Sequence, residues 1–217
     1  MSKNYKSMMF SYLREKNVQR MKAQFPECED WDELDWYGAL VGEVGEYANF
    51  RKKFIRGSIT EEDFLINAGK ELADVQMYLD LLAWYLGVTL SSTNSKVNYA
   101  NEIFSAFSYL GSAPEILKPL DYLCSNKLKL SCEDTTMKNF RRMLPSPEEA
   151  LISLDTCKLL ILQGDVTTHE RMFKITQYSL EMLAYSLEID LAKEVVDKFN
   201  ETSMKMPEGS RILMELS

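Results

Sequence analysis

Residues typical of zinc centres and of nucleophilic triads are scarce in this sequence. Its 217 residues include a single histidine, His169, and four cysteines, Cys28, Cys124, Cys132 and Cys157. No two cysteines form a C-x-x-C pair, and none is spaced from the histidine as in a zinc site. We therefore expect reduced thiols, without zinc chemistry and without a catalytic triad built on histidine.

Positive charge and long apolar runs are also in short supply. Lysine and arginine number 25 against 33 aspartates and glutamates, which gives a net charge of −8. A chain with this balance is poorly suited to neutralise a nucleic-acid backbone. No apolar run approaches the length of a membrane span or a signal-peptide core. The sequence thus predicts a cytoplasmic protein without nucleic-acid or membrane partners.

Helix-breaking residues are few, with only 9 glycines and 6 prolines. Apolar residues recur at helical spacing and strand signals are nearly absent, so we expect an all-α helical bundle. Thr60 and Asp63 have the spacing of a capping box. The pattern predicts helices over residues 8–24, 37–56 and 61–86, a helix beginning at Ser146, a break at Gly164, and a last helix over 190–203.

Two parts of the chain resemble each other. Segment 79–90 aligns with 180–191, and the turn residues 57–60 align with 164–167. Because turn and helix signals match in the same order, they favour an internal duplication. The alternative is a chance resemblance between amphipathic helices.

Four carboxylates stand out in the second and third predicted helices. Glu43 and Glu46 are three residues apart and so share one helical face. Glu71 and Asp74 repeat this spacing after 24 intervening residues, which suit a helical hairpin. Because the surrounding residues are apolar, the four acids would crowd in a partly buried place, where a divalent cation offsets their repulsion. Oxygen ligands select Mg²⁺, or Mn²⁺, over zinc. The alternative is two acidic pairs on solvated helix edges.

These motifs resemble those of the MazG-like all-α nucleoside triphosphate pyrophosphohydrolases, a family that includes dCTP- and dUTP-hydrolysing relatives. The acidic motifs lie in the contexts GEVGE and ELADV, and the other matching segments are Asn17-x-x-Arg20, Lys52-Lys53, Asp80-Leu81-Leu82-Ala83 and Lys198-Phe199-Asn200-Glu201-Thr202-Ser203. The resemblance covers about half of the chain. It implies hydrolysis of a nucleoside triphosphate to the monophosphate and pyrophosphate, with Glu43 or Glu46 as proton acceptor. The metal ligands it implies are Glu43, Glu46, Glu71 and Asp74.

The chain departs from this family in its spacing. In the phage and bacterial branch that the closing segment resembles, that segment follows soon after the second acidic motif, whereas here about 100 residues intervene. The positions of the second copy that align with the metal ligands cannot bind Mg²⁺, since they are Leu154, Cys157, Met172 and Ile175. We therefore expect a catalytic unit over residues 1–104, a connecting segment over 105–145, and a degenerate second unit over 146–217 that packs on the first.

Nine further residues are candidates for binding the substrate. Lysine and asparagine side chains offer donors to phosphate or sugar, tryptophan rings offer faces for a base, and an aspartate could stand outside the metal ligands. Each also has a structural alternative, such as a basic helix end, a core anchor or a surface turn. The nine are Trp31, Trp36, Lys52, Lys53, Asp80, Lys96, Asn98, Lys198 and Asn200.

Two other functions fit the same residues. One is an enzyme of narrow specificity, a phage-type dUTPase or dCTPase that shares the mechanism. The other is a helical regulatory protein that binds a nucleotide without hydrolysing it. The expected partner is in each case a nucleoside triphosphate, and a homodimer is compatible with all of these functions.

Overall fold

The computed structural model describes residues 10–90 and 166–215, and these parts of the chain are helical, without strands. The predicted all-α class is thereby confirmed. The helix predicted to begin at Ser146 lies outside the described residues, as do Lys96 and Asn98. Two short 3-10 helices span Pro26–Asp30 and Glu208–Ser210. The five α-helices of the described ranges are α1 (Phe10–Gln24), α2 (Glu33–Ile55), α3 (Glu61–Tyr85), α4 (Val166–Ser186) and α5 (Leu191–Met204).

Side-chain caps determine where α2 and α3 begin. Thr60 Oγ1 accepts a hydrogen bond from the backbone N–H of Asp63, and this capping box at the start of α3 was predicted. The predicted start of α2 at residue 37 is wrong by one turn. Asp32 and Asp35 form a second capping box, so the helix already begins at Glu33. The box is built from two aspartates of an acidic stretch that precedes the predicted start of the helix.

Helix α3 is the central element, because it packs against each of the other four α-helices. It runs antiparallel to α2, as the hairpin prediction required. The turn between them contains Gly57 at a φ of 69°, a left-handed conformation that glycine adopts without strain. A large hydrophobic cluster joins α2, α3 and α4, and its buried members include Leu40, Val44, Leu72, Leu79, Phe173 and Leu180.

A second hydrophobic cluster positions α5 against α3, beside α1. Phe199 of α5 is fully buried there and contacts the cluster formed with Ala73 and Met77 of α3. The remaining buried members are Leu13, Val195 and Met214. This packing determines which face of α5 is turned towards α3.

Helix α4 is joined to α3 by a buried polar contact in addition to apolar packing. The amides of Gln76 and Gln177 exchange two hydrogen bonds, at 2.9 and 2.7 Å. Since each amide donates to the other, both polar groups are satisfied away from water. Among the described residues, no helix is long and apolar enough to span a membrane.

Candidate functional site

The helical hairpin brings carboxylates of α2 and α3 together. Glu43, Glu46 and Glu71 each offer one oxygen, and these oxygens all lie within 4.8 Å of one another. Glu43 and Glu46 lie one turn apart on α2, and the antiparallel packing of α3 places Glu71 opposite them. The structure therefore unites three of the four predicted metal ligands in one group, which we call the acidic cluster.

Burial and mutual repulsion act on the cluster together. Glu43 is half-buried, and this burial is the largest cause that raises its pKa from 4.5 to about 7. The neighbouring charges of Asp74, Glu46 and Glu71 raise the pKa further, and Lys198 opposes them. Glu71 is only 7% exposed, and its pKa is also raised, chiefly by burial.

The fourth predicted ligand, Asp74, lies beside the acidic cluster but already has a cationic partner. The Nζ atom of Lys198, on α5, is 2.7 Å from Asp74 Oδ2. Burial nevertheless keeps the pKa of Asp74 above its ordinary value, against the opposing effects of Lys198 and Arg20. Lys198, one of the candidates for binding phosphate or sugar, thus lies at the site.

The chemistry of this donor set fits a divalent cation. The four side chains supply only carboxylate oxygens, the ligand type that Mg²⁺ and Mn²⁺ prefer. The oxygens of Glu43, Glu46 and Glu71 lie close together, and burial raises the carboxyl pKa values of Glu43, Glu71 and Asp74, so a bound cation would relieve both desolvation and repulsion. Glu43, Glu46 and Glu71 are the residues placed to hold it, with Asp74 adjacent.

Two further side chains, Tyr78 and Arg20, lie near the carboxylates. Tyr78 lies one turn after Asp74 on α3, and its pKa is raised by burial and then by Glu43 and Asp74. The helical spacing from Asp74 could have indicated it in the sequence. The guanidinium of Arg20 lies over the Phe199 ring at 4.0 Å, and burial lowers its pKa to about 10. Asp74 and Tyr78 oppose that shift, so Arg20 adds positive potential on the α1 side.

The lysines at the end of α2 are not part of this group. Lys52 is exposed and donates a hydrogen bond to Asn49 Oδ1 at 2.8 Å, and Lys53 lies over the Phe50 ring. Both lie about two turns beyond Glu46. Both lysines contact side chains of their own helix. Their binding to phosphate stays a prediction.

The two predicted base-stacking residues occupy different environments. Trp36 is 1% exposed within the main hydrophobic cluster, whereas Trp31 is half-buried at its edge. Their ring centroids lie 4.7 Å apart at 60°. Trp36 is a core anchor, which is the structural alternative for this residue, and only Trp31 retains a partly exposed ring.

Asp80 and Asn200 bind protein groups. Asp80 is fully buried and accepts hydrogen bonds from Arg14 Nε at 2.8 Å and Asn17 Nδ2 at 3.1 Å, which connects α1 to α3. Asn200 exchanges two hydrogen bonds with the backbone of Met214, at 2.9 and 2.8 Å. Both side chains therefore hold elements of the fold in place.

Comparison of the chain with models of protein families, with curated proteins and with solved structures finds no match.

Proposed function

We propose that this chain is a Mg²⁺-dependent nucleoside triphosphate pyrophosphohydrolase that converts a ribo- or deoxyribonucleoside triphosphate to the monophosphate and pyrophosphate. One observation carries the proposal: Glu43 and Glu46 of α2 and Glu71 of the neighbouring α3 present oxygens within 4.8 Å of one another. The resemblance of their sequence motifs to the MazG-like family supplies the reaction class.

Each chain group then has a chemical task. Glu43, Glu46 and Glu71 would hold Mg²⁺, which when bound supplies charge neutralisation for the triphosphate and acidifies a water ligand. Glu43 or Glu46 accepts the proton of the attacking water.

Positive charge beside Asp74 suits an anionic substrate. Lys198 lies against Asp74, and Arg20 is close enough to Asp74 to affect its pKa. An ammonium at this position can attract phosphate oxygens, and the partly exposed ring of Trp31 offers a face to a base.

The test is pyrophosphate release from a panel of ribo- and deoxyribonucleoside triphosphates, with and without Mg²⁺. We expect Mg²⁺-dependent release that Glu46→Gln and Glu71→Gln each reduce by roughly 100-fold or more. Glu15→Gln, at an exposed position of α1, serves as the matched control and should retain activity. If purified wild-type protein releases no pyrophosphate from any nucleotide of the panel, the proposal is wrong.

The same panel separates a general enzyme from a phage-type dUTPase or dCTPase, because only substrate range distinguishes them. The ion pair of Lys198 with Asp74 favours one further alternative, a regulatory protein that binds nucleotide without turnover, since one of the four acids already has a cationic partner. Nucleotide binding measured by calorimetry without pyrophosphate release would identify that case.

A further inference from the structure

The carboxylates of the site have a cation supplied by the chain itself. Lys198 Nζ lies 2.7 Å from Asp74 Oδ2, and the two side chains are only 20% and 14% exposed. The ammonium also acts electrostatically on Glu71 and Glu43. A charged pair with so little exposure is much less screened than a surface pair.

The two residues that follow Lys198 are held by packing and hydrogen bonds, so the fold fixes the backbone from which the ammonium extends. The next residue, Phe199, is fully buried, and its ring and carbonyl are contacted by the Arg20 guanidinium at 4.0 and 3.4 Å. Asn200 is tied to the backbone of Met214 by two hydrogen bonds.

Other lysine pairs of the same helices differ in character. Lys70 of α3 pairs with Glu201 of α5 at 3.3 Å, and Lys193 pairs with Asp197 within α5. All four of these side chains are more than 40% exposed, so these pairs contribute little to stability and lie in water. They provide matched controls for Lys198.

We propose that the Lys198 ammonium is an internal counter-ion that competes with the divalent cation for Asp74 and thereby sets the cation affinity of the site. This inference rests on the metal site of the proposed function and adds a residue that regulates it. An ammonium and a divalent cation repel each other, so they cannot both lie against one carboxylate without a cost. Cation binding therefore displaces Lys198 from Asp74, and the freed ammonium can turn to an anionic ligand.

The first test is calorimetric titration of the full chain with Mg²⁺ and with Mn²⁺. Lys198→Met and Lys198→Gln should each bind the cation more tightly, on the order of tenfold, because a competing positive charge has been removed. Lys198→Arg keeps the charge and should stay close to wild type, as should the control Lys193→Met. In the absence of cation, Lys198→Met should also have a lower Tm than wild type, and saturating Mg²⁺ should narrow that difference.

The second test uses the wild-type protein and so does not depend on how a variant folds. Reductive methylation of lysines, followed by peptide mass spectrometry, measures the reactivity of each lysine amino group, which is low while the group is held in an ion pair. Mg²⁺ should increase the methylation rate of Lys198 severalfold while leaving Lys193 unchanged. An unchanged rate at a Mg²⁺ concentration that calorimetry shows to be saturating contradicts the inference.

The outcomes distinguish this inference from the proposed function. If wild type binds Mg²⁺ but the uncharged variants bind it equally or more weakly, Lys198 does not compete and only the inference fails. If neither wild type nor any variant binds Mg²⁺ or Mn²⁺ at millimolar concentration, the metal-dependent function fails as well. If Lys198→Met binds Mg²⁺ and wild type does not, the result would support strong competition between the Lys198 ammonium and the cation.

Discussion

At the scale of single residues, half-buried Glu43 and fully buried Asp80 illustrate two environments of a carboxylate in this fold. Asp80 accepts hydrogen bonds from Arg14 and Asn17, and these protein donors stabilise its carboxylate away from water. Glu43 instead faces other acids, and among the described residues no donor binds it. A carboxylate in the first environment stabilises the fold. One in the second lowers the free energy of unfolding unless a cation is bound beside it.

This cost predicts a pH dependence of stability for the metal-free protein. The pKa of Glu43 in the folded state, about 7, lies above its ordinary value of 4.5. Between these values the folded protein binds more protons than the unfolded chain, so the free energy of unfolding falls as pH rises through this window. Glu43→Gln removes the penalty and should stabilise the protein at pH 8 by about 1–2 kcal/mol, a value reduced for solvent screening.

Urea denaturation in EDTA, at several values between pH 4.5 and pH 8, measures this effect. The stabilisation by Glu43→Gln should shrink towards pH 4.5, where the wild-type carboxyl is already protonated. The exposed control Glu15→Gln should follow the wild-type curve. A Glu43→Gln curve parallel to wild type across the whole range would contradict a raised pKa of Glu43.

At the scale of helices, the local signals of the sequence were sufficient for the hairpin. The capping box at Thr60 and the three-residue spacing of the acids are both local features, and both appear in the structure. The start of α2 was missed because Asp32 and Asp35 cap the helix from within an acidic stretch that resembles a loop. Cap geometry depends on backbone conformation, which residue type alone does not specify.

Local sequence signals do not predict contacts between helices that are distant in the chain. The sequence indicates Lys198 as a candidate for binding phosphate or sugar, but its pairing with Asp74 depends on how α5 packs on α3. Likewise, Trp36 and Asp80 were named as substrate-binding candidates on residue type, and their burial follows from neighbours on other helices. Packing against distant elements decides which polar or aromatic side chains remain available for a ligand.

The contact between α3 and α4 gives a prediction about helix packing. Replacing Gln177 with leucine leaves the buried amide of Gln76 without its partner, which should cost about 1–3 kcal/mol of unfolding free energy. Replacing both glutamines with leucine removes both polar groups and should recover most of that loss. Denaturant titration of the wild type, the two single variants and the double variant forms the cycle.

Additive losses in that cycle would indicate that the two amides are not in contact, and would contradict this placement of α4. The control pair is Lys70→Met with Glu201→Gln, a surface ion pair between α3 and α5 whose loss should change stability by less than about 1 kcal/mol.

At the scale of the whole molecule, both hydrophobic clusters draw residues from the two described parts of the chain. In the main cluster, Leu72 and Leu79 of α3 share the core with Phe173 and Leu180 of α4. In the second cluster, Met77 and other residues of the first part surround groups from α5. The described residues before 91 therefore bury their apolar faces only with help from those after 165.

This shared core predicts that the fragment of residues 1–104 does not fold stably when produced alone. Without α4 and α5, the apolar surface of α3 around Leu79 and Met77 would face water, and losing several such burials costs more than the typical stability of a small domain. We expect the fragment to lack a cooperative thermal transition by circular dichroism and to bind a hydrophobic dye, whereas the full chain unfolds in one transition.

Adding the fragment of residues 105–217 should restore the transition, because it supplies α4 and α5. A sharp transition of the fragment 1–104 alone, near the Tm of the full chain, would mean that the first unit is an independent domain and that the second is dispensable for its core.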